Sequence, residues 1–501
     1  MPELYIDGSW CDANDGARRE VIDPFDGSTA RIVSEGGPDD TEAAIAAARR
    51  AFDTGPWPRT PAAERAARLA ALADAMEADT DHLAALETAD TGKTLEESRA
   101  DISDVIGVIR YYASMADHLD DEQVQGPIPA LRSTIRHEPV GVCAQISPWN
   151  YPLLQASWKF APALLAGNTM VIKPSELTPL TTIRTVELME QVGIPAGVVN
   201  LVLGDGPRVG AVLAASHDVD LVSFTGGIVS GRKVMEAATG NVKKLALELG
   251  GKNPNIVFAD ADHDLAVDHA LNAVFFHAGQ VCSAGARLLV EASIHDAFVD
   301  ALVERTERIR LGNGRDAATE SGPLISAAHR DKVERYVAGA LDEGATLRCG
   351  GRRPDDAELA DGFFYRPTIL TDCHADMAIV REEVFGPVLT VEPFEDEAEA
   401  LALAGDTDTG LAAGVFTSDA DRGRRVAEAL RYGTVWINDF HPYFPQAPWG
   451  GFKTSGIGRE LGVAGLDEYV ELKHIAHNVD PAPTGWFGRQ QQGTTTQEAN
   501  S

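Results

Sequence analysis

Cysteine, cationic side chains and long apolar runs are all scarce in this chain, and each shortage removes a class of protein. The five cysteines, at positions 11, 143, 282, 349 and 373, are odd in number and scattered. No C-x-x-C pair or His/Cys group with metal spacing accompanies them, so neither a disulfide scaffold nor a structural zinc site is expected, and no metal is predicted. Lysine and arginine total 43 against 76 aspartates and glutamates, a formal net charge of -33. Such a surface repels nucleic acid and anionic membranes, so neither is expected as a partner. No run of about 18 apolar residues occurs. The start, Met1-Pro2-Glu3-Leu4-Tyr5-Ile6-Asp7, shows no basic region followed by an apolar stretch, so a cytoplasmic protein is expected. Also missing is the usual dinucleotide fingerprint, a G-x-G-x-x-G after a strand.

The acidic residues that are present lie along the whole chain, as in Asp79 to Asp90, Asp117 to Glu122, Asp260 to Asp264 and Glu392 to Glu399, not in one acidic tail. Two readings stand: an ordinary acidic enzyme, or a halophilic one from a salt-rich cytosol, where screening over a few ångströms removes the self-repulsion. Lysine is scarce compared with arginine, which fits the second.

At 501 residues, with 44% hydrophobic and 24% charged residues, the chain is globular and long enough for two or three domains. Asp39 to Glu42 cap a run of helix formers from Ala43, and helical patterns continue over 61–89 and 95–119. The stretch 132–147 reads as extended. Short apolar strands at 169–172, 198–202, 221–224 and 245–247 then alternate with helices at about 178–192, 206–215 and 228–238. That alternation predicts an α/β protein with a parallel sheet covered on both faces, and such sheets bind ligands at the carboxyl ends of their strands. A second strand-helix series, through 287–290, 365–370, 384–391 and 433–437, implies another α/β domain, with a boundary near Gly250. The last stretch, 481–501, lacks apolar periodicity and reads as a disordered tail.

The chemistry centres on Cys282, in Phe275-Phe276-His277-Ala278-Gly279-Gln280-Val281-Cys282-Ser283, and on Glu248, in Leu247-Glu248-Leu249-Gly250-Gly251-Lys252. A thiol nucleophile and a water-activating carboxylate suit covalent catalysis through a thioester, for which the thiol needs access and a lowered pKa. Phe224-Thr225-Gly226-Gly227-Ile228 puts a glycine pair between an apolar strand and a helix, where backbone can approach a phosphate at the helix N-terminus. Lys173 and Glu176, at another strand end, could both hydrogen-bond a ribose, or form a solvated loop pair.

These segments carry a resemblance to the NAD(P)-dependent aldehyde dehydrogenases over nearly the whole length, to about residue 478. The matching strings are Ser147-Pro148-Trp149-Asn150-Tyr151-Pro152, Trp158-Lys159, Lys173-Pro174-Ser175-Glu176, Phe224-Thr225-Gly226-Gly227, Glu248-Leu249-Gly250-Gly251-Lys252, Gly279-Gln280-Val281-Cys282, Glu382-Glu383-Val384-Phe385-Gly386-Pro387 and Gly458-Arg459-Glu460-Leu461-Gly462. Within the family, 245–258, 271–289 and 438–444 resemble the bacterial betaine aldehyde dehydrogenases. The resemblance implies a Rossmann-like NAD-binding domain (1–122 and 142–250), a catalytic domain (251–450) and a small β oligomerisation element (123–141 and 466–478) that makes a homodimer or homotetramer. It implies that Cys282 attacks the aldehyde, Asn150 and the Cys282 backbone N–H hold the oxyanion, Glu248 activates water, and Lys159 with Glu460 relays protons.

By the same resemblance, Trp149, Lys173, Glu176, Gly226, Gly227, Glu383 and Phe385 bind the cofactor. Many relatives have serine where Gly227 stands, so only backbone is offered there. A ribose 2′-hydroxyl bound by Glu176 would favour NAD, with NADP possible. Tyr151, Trp158 and Trp449 match the positions that line the aldehyde site, with Tyr443 and Phe444 as further walls; aromatic faces attract a quaternary ammonium by ~0.5–2 kcal/mol each. The expected substrate is a small aldehyde, betaine aldehyde first, with an aminoaldehyde or broad aliphatic aldehyde as the alternative and a catalytically silent NAD-binding protein as the third reading.

Overall fold

In the computed structural model, which describes residues 3–487, the chain builds two large sheets and two small ones. The first large sheet has eight strands. Five parallel strands run in the order Lys244–Leu249, Leu221–Gly226, Val142–Ile146, Thr169–Lys173 and Val199–Leu201, flanked by antiparallel Gly456–Ile457 on one side and the Leu4–Ile6/Ser9–Cys11 hairpin on the other. Chain order reverses between Val142–Ile146 and Leu221–Gly226. The carboxyl ends of these two strands therefore open a crevice, the place where α/β sheets take ligands.

The second large sheet has seven strands, all parallel except the edge strand Thr346–Cys349. Two of its inner strands, Pro254–Val257 and Ala412–Phe416, escape the sequence reading: the first opens on proline, and the second is small and glycine-containing, so neither shows a branched apolar run. A buried helix packs on Val142–Ile146 and Thr169–Lys173 of the first sheet. Pro152–Ala166 is buried at every position, starts with proline at its first turn and ends at left-handed Gly167 (φ 95°).

Four expectations are corrected in detail. The helix expected over 61–89 breaks at Asp79 into Ala62–Ala78 and Thr80–Thr91. The one expected over 95–119 ends at Ala113, and a 3-10 turn follows over Ala116–Leu119. The extended stretch 132–147 is two strands in different sheets, Leu131–Pro139 and Val142–Ile146, because Pro139 and left-handed Gly141 (φ 142°) turn the chain between them. The strand expected from 466 starts at Val470, since Gly462–Asp467 is helical. Val470–Asn478 pairs along its whole length with Leu131–Pro139, which also pairs with Glu122–Gln125, forming a separate antiparallel sheet. Residues 481–487 are exposed and without regular structure, and the rest of the expected tail lies outside the described residues.

Candidate active site

Two cavities meet at Cys282. The first, about 220 Å³, sits at the reversal in the eight-stranded sheet; Trp149, Asn150, Gly226, Gly227, Glu248, Glu383, Phe385 and Trp449 line it, together with His329 and Lys332 from outside the sequence motifs. The second, about 280 Å³, opens on the other side of the sulfur and is lined by Tyr151, Trp158, Phe276, His441, Tyr443 and Trp449, and by Asp101 and Asp104 from the Leu95–Ala113 helix.

Cys282 is carried by a strained turn. His277, Ala278 and Gly279 have φ of 47°, 51° and 73°, a left-handed run that costs free energy at the two non-glycine positions. Hydrogen bonds from distant segments hold it: the His277 N–H donates to Glu97 (2.9 Å), the Ile325 N–H donates to the Gln280 side chain (2.9 Å), and Asn253 donates to the Cys282 carbonyl (2.8 Å). Glu97 also accepts from the Thr94 N–H (2.7 Å) in a capping box, so one carboxylate starts a helix and anchors the Cys282 loop.

Burial, then the charges of Glu383 and Glu248, push the Cys282 thiol up to about 12, the opposite direction from the lowered pKa that thiolate chemistry asks for. Glu248 ends the strand Lys244–Leu249; burial raises its carboxyl well above the usual range, Glu460 adds to this, and Lys159 and Arg459 oppose it. Neither Glu248 oxygen has a hydrogen-bond partner among the described residues. A Cβ on Gly450 would lie 2.7 Å from Glu248 Oε1, so glycine there makes room for the carboxyl.

Asn150, just ahead of the Pro152–Ala166 helix, donates one amide hydrogen to the Gln280 carbonyl (2.9 Å), leaving the other for the cavity. Lys159 on that helix is fully buried; it pairs with Glu460 and donates to Thr225 Oγ1 (2.7 Å), and Thr225 borders the first cavity. Ser223 donates to the same Glu460 oxygen (3.3 Å). Lys159 and Glu460 thus stand one layer behind the cavity wall.

The glycine pair occupies the position expected of it. Gly226 closes the strand, where a Cβ would strike the Phe224 ring at 2.6 Å, and Gly227 caps the helix Ile228–Ala237, with open space where its Cβ would be. Glu383 lies against Gly250, accepts from the Gly251 N–H (3.3 Å) and is pushed up to about 7 by burial. Phe385 and His329 stand edge-on to Trp149, with ring centroids 5.2 and 5.3 Å away. Buried carboxylate oxygens with few donors, aromatic walls and an open helix N-terminus fit a dinucleotide with ribose hydroxyls and phosphates. Lys173 and Glu176 do not line this cavity; they pair with each other (3.2 Å) at the carboxyl end of Thr169–Lys173.

On the other side, Trp158 meets Tyr443 and Trp449 at centroid distances of 5.5 and 5.9 Å. Tyr443 donates to Asp104 (2.6 Å). The Lys93 ammonium lies 3.9 Å from the Tyr151 ring centre and pairs with Asp101 and Glu87. Phe444, expected as a wall, does not line the cavity: it is 57% exposed, because the chain turns there and points the ring outward. The sequence reading missed Asp101, Asp104, Lys93 and His441. Acidic residues spaced by three beside the apolar stripe of that helix, Ile102, Val105, Ile106 and Ile109, were the available signal for the first two.

Comparison with known proteins accords with this geometry. Residues 10–475 match the model of the aldehyde dehydrogenase family. The chain is 61% identical over 484 residues to the betaine aldehyde dehydrogenase of Bacillus subtilis (strain 168), covering 97% of this chain and 99% of that one. It is 43% identical to aminoaldehyde dehydrogenase 1, peroxisomal, of Pisum sativum, covering 97% of each. The crystal structure of betaine aldehyde dehydrogenase from Staphylococcus aureus in complex with NAD+ superposes with a TM-score of 0.96 at 56% identity, covering 97% of this chain and 96% of that one.

Proposed function

The chain belongs to the aldehyde dehydrogenase family, and on that premise we propose that it oxidises betaine aldehyde to glycine betaine, with NAD as hydride acceptor. The observation that carries the substrate is the aldehyde-side cavity, where Trp158, Trp449 and Tyr443 form contiguous aromatic walls and Asp101 and Asp104 add carboxylates. Aromatic faces favour a trimethylammonium group.

The residues divide the work. Glu248 takes the Cys282 proton, which leaves by Lys159 and Glu460, as the sulfur bonds to the aldehyde carbon; the free amide hydrogen of Asn150 and the Cys282 N–H stabilise the oxyanion, a contribution worth ~3 kcal/mol of barrier for a single donor. Bound NAD supplies the acceptor for the hydride that leaves this carbon. A thioester on Cys282 remains. Glu248 takes a proton from the water that hydrolyses it, and Lys159 and Glu460, reached through Thr225, pass that proton away from the site. Trp149, Phe385 and Glu383 hold the nicotinamide end of NAD, Gly226 and Gly227 its phosphates, and Lys173 with Glu176 its adenosine ribose.

Purified protein given NAD and betaine aldehyde should produce NADH, and no rise in absorbance at 340 nm, whether at low or at high salt, would overturn the substrate. One observation favours a second reading: Asp101 and Asp104 could accept N–H bonds from the primary ammonium of an aminoaldehyde. Comparison of kcat/KM for betaine aldehyde and aminoaldehydes decides between them. The division that accompanies this reading is 1–122 with 142–250 for NAD, 251–450 for catalysis, and 123–141 with 466–478 for assembly into a homodimer or homotetramer. The exposed strand Val470–Asn478, with one open edge, supports the last. A cytoplasmic enzyme adapted to a high-salt interior agrees with the charge of -33, and no helix among the described residues is long and apolar enough to cross a membrane.

A further inference from the structure

The Pro152–Ala166 helix brings one more polar side chain to the reacting sulfur, and the scheme above does not use it. Gln155 is 4% exposed, and its Oε1 has no hydrogen-bond partner among the described residues. Three residues, Gln155, Cys282 and Trp449, border both the cofactor-side and the aldehyde-side cavity. Lys159 follows Gln155 by four positions, one helical turn along the same face, and its ammonium reaches Thr225 on the wall of the cofactor-side cavity. Glu248 borders that cavity too, with both oxygens buried and without a partner among the described residues.

Buried amide and carboxyl oxygens are nearly always hydrogen-bonded, to protein or to ordered water. Unpartnered acceptors on Gln155 and Glu248, in a cavity that Cys282 also borders, therefore call for a small molecule with two donors. Water meets that need, and water is the co-substrate of thioester hydrolysis.

We propose that Gln155 is a positioning residue for deacylation, its Oε1 accepting one hydrogen of the water whose other hydrogen goes to Glu248, so that the water oxygen faces the carbonyl carbon of the Cys282 thioester. A lone pair of the water oxygen forms the new C–O bond, one proton passes to Glu248, and the C–S bond breaks with its electrons on sulfur. The acid so formed ionises and leaves; no oxidant or reductant takes part. This inference rests on the thioester reading of Cys282 and extends it to a residue outside every motif of the sequence.

Gln155→Met tests it, because methionine fills a similar volume and cannot accept a strong hydrogen bond. The enzyme is mixed with NAD and betaine aldehyde, quenched at intervals and weighed intact, while NADH is followed in parallel. The expected result is an undiminished first turnover of NADH, followed by decay of the acylated Cys282 about tenfold slower than in the parent, the size of effect that one ordinary hydrogen bond produces. A merely structural defect would slow the first turnover as well. First turnover and decay slowed together, or decay unchanged, would overturn the proposal. Should Gln155→Met fail to fold, Gln155→Asn, which keeps the amide but withdraws it by one methylene, is expected to slow decay in the same selective way, and an unchanged decay there overturns it equally. A parent enzyme that never shows an acylated Cys282, even as Glu248→Gln, would instead remove the thioester reading itself.

Discussion

Burial pushes the Glu383 carboxyl up to about 7, with only the Gly251 N–H and the charges of Lys332 and Lys252 in opposition. A carboxylate accepts ribose hydroxyls better than its protonated form does, so NAD affinity is expected to rise as pH increases through about 7 and to be flat in Glu383→Gln; calorimetric titration of NAD between pH 6 and pH 8 checks this. The sign for stability is opposite. A group whose folded pKa lies above its unfolded value of 4.5 adds stability below that value and loses it as pH rises through about 7, so the NAD-free protein should melt progressively lower across that window, and less steeply as Glu383→Gln. For Cys282→Ala, turnover is expected to fall by at least about a thousandfold with NAD affinity retained, because the alanine removes the nucleophile and leaves the cofactor cavity walls in place.

At the scale of elements, the Cys282 loop and the Leu95–Ala113 helix are one unit, joined where Glu97 serves both the helix cap and the His277 N–H. Glu97→Ala should destabilise the protein by about 2–4 kcal/mol in urea unfolding, since two buried backbone donors lose their acceptor, and should lower turnover as the left-handed turn relaxes. Gly279→Ala is expected to be worse: φ is 73°, and the new Cβ would stand 2.2 Å from the Gly386 carbonyl oxygen. That backbone belongs to the motif carrying Glu383 and Phe385, so the cofactor wall and the nucleophile turn move together. The expected readout is loss of both NAD binding and turnover, measured by cofactor fluorescence and NADH formation.

For the whole molecule, 76 acidic side chains against 43 cationic ones make self-repulsion a global term. Raising KCl from about 0.1 M to about 1 M shortens the screening length from ~10 Å to ~3 Å, so the melting temperature should climb with salt, as scanning calorimetry would record. A melting temperature indifferent to salt would leave the acidic surface as ordinary composition. Many of the charges already sit in exposed Arg–Asp and Arg–Glu pairs, such as Arg353 with Asp331 and Glu334, each worth little alone.

The alternation of short apolar strands with helices was enough, by itself, to establish an α/β chain, and the order of the motifs singled out Cys282 and Glu248 as the candidates for its chemistry. Both are local properties: a buried parallel strand needs a continuous apolar run, and a motif is read from neighbours in sequence. Other matters depended on residues far apart. Pro254–Val257 and Ala412–Phe416 are strands because their partners in the second sheet make them so. The thiol's raised pKa comes from enclosure by walls that include Glu383 and Glu248, a hundred residues or more from each other. Asp101, Asp104 and Gln155 became part of the site only when two helices packed against the Cys282 turn. Sequence spacing cannot reveal such groups, because burial and convergence are properties of the space between elements and not of the elements themselves.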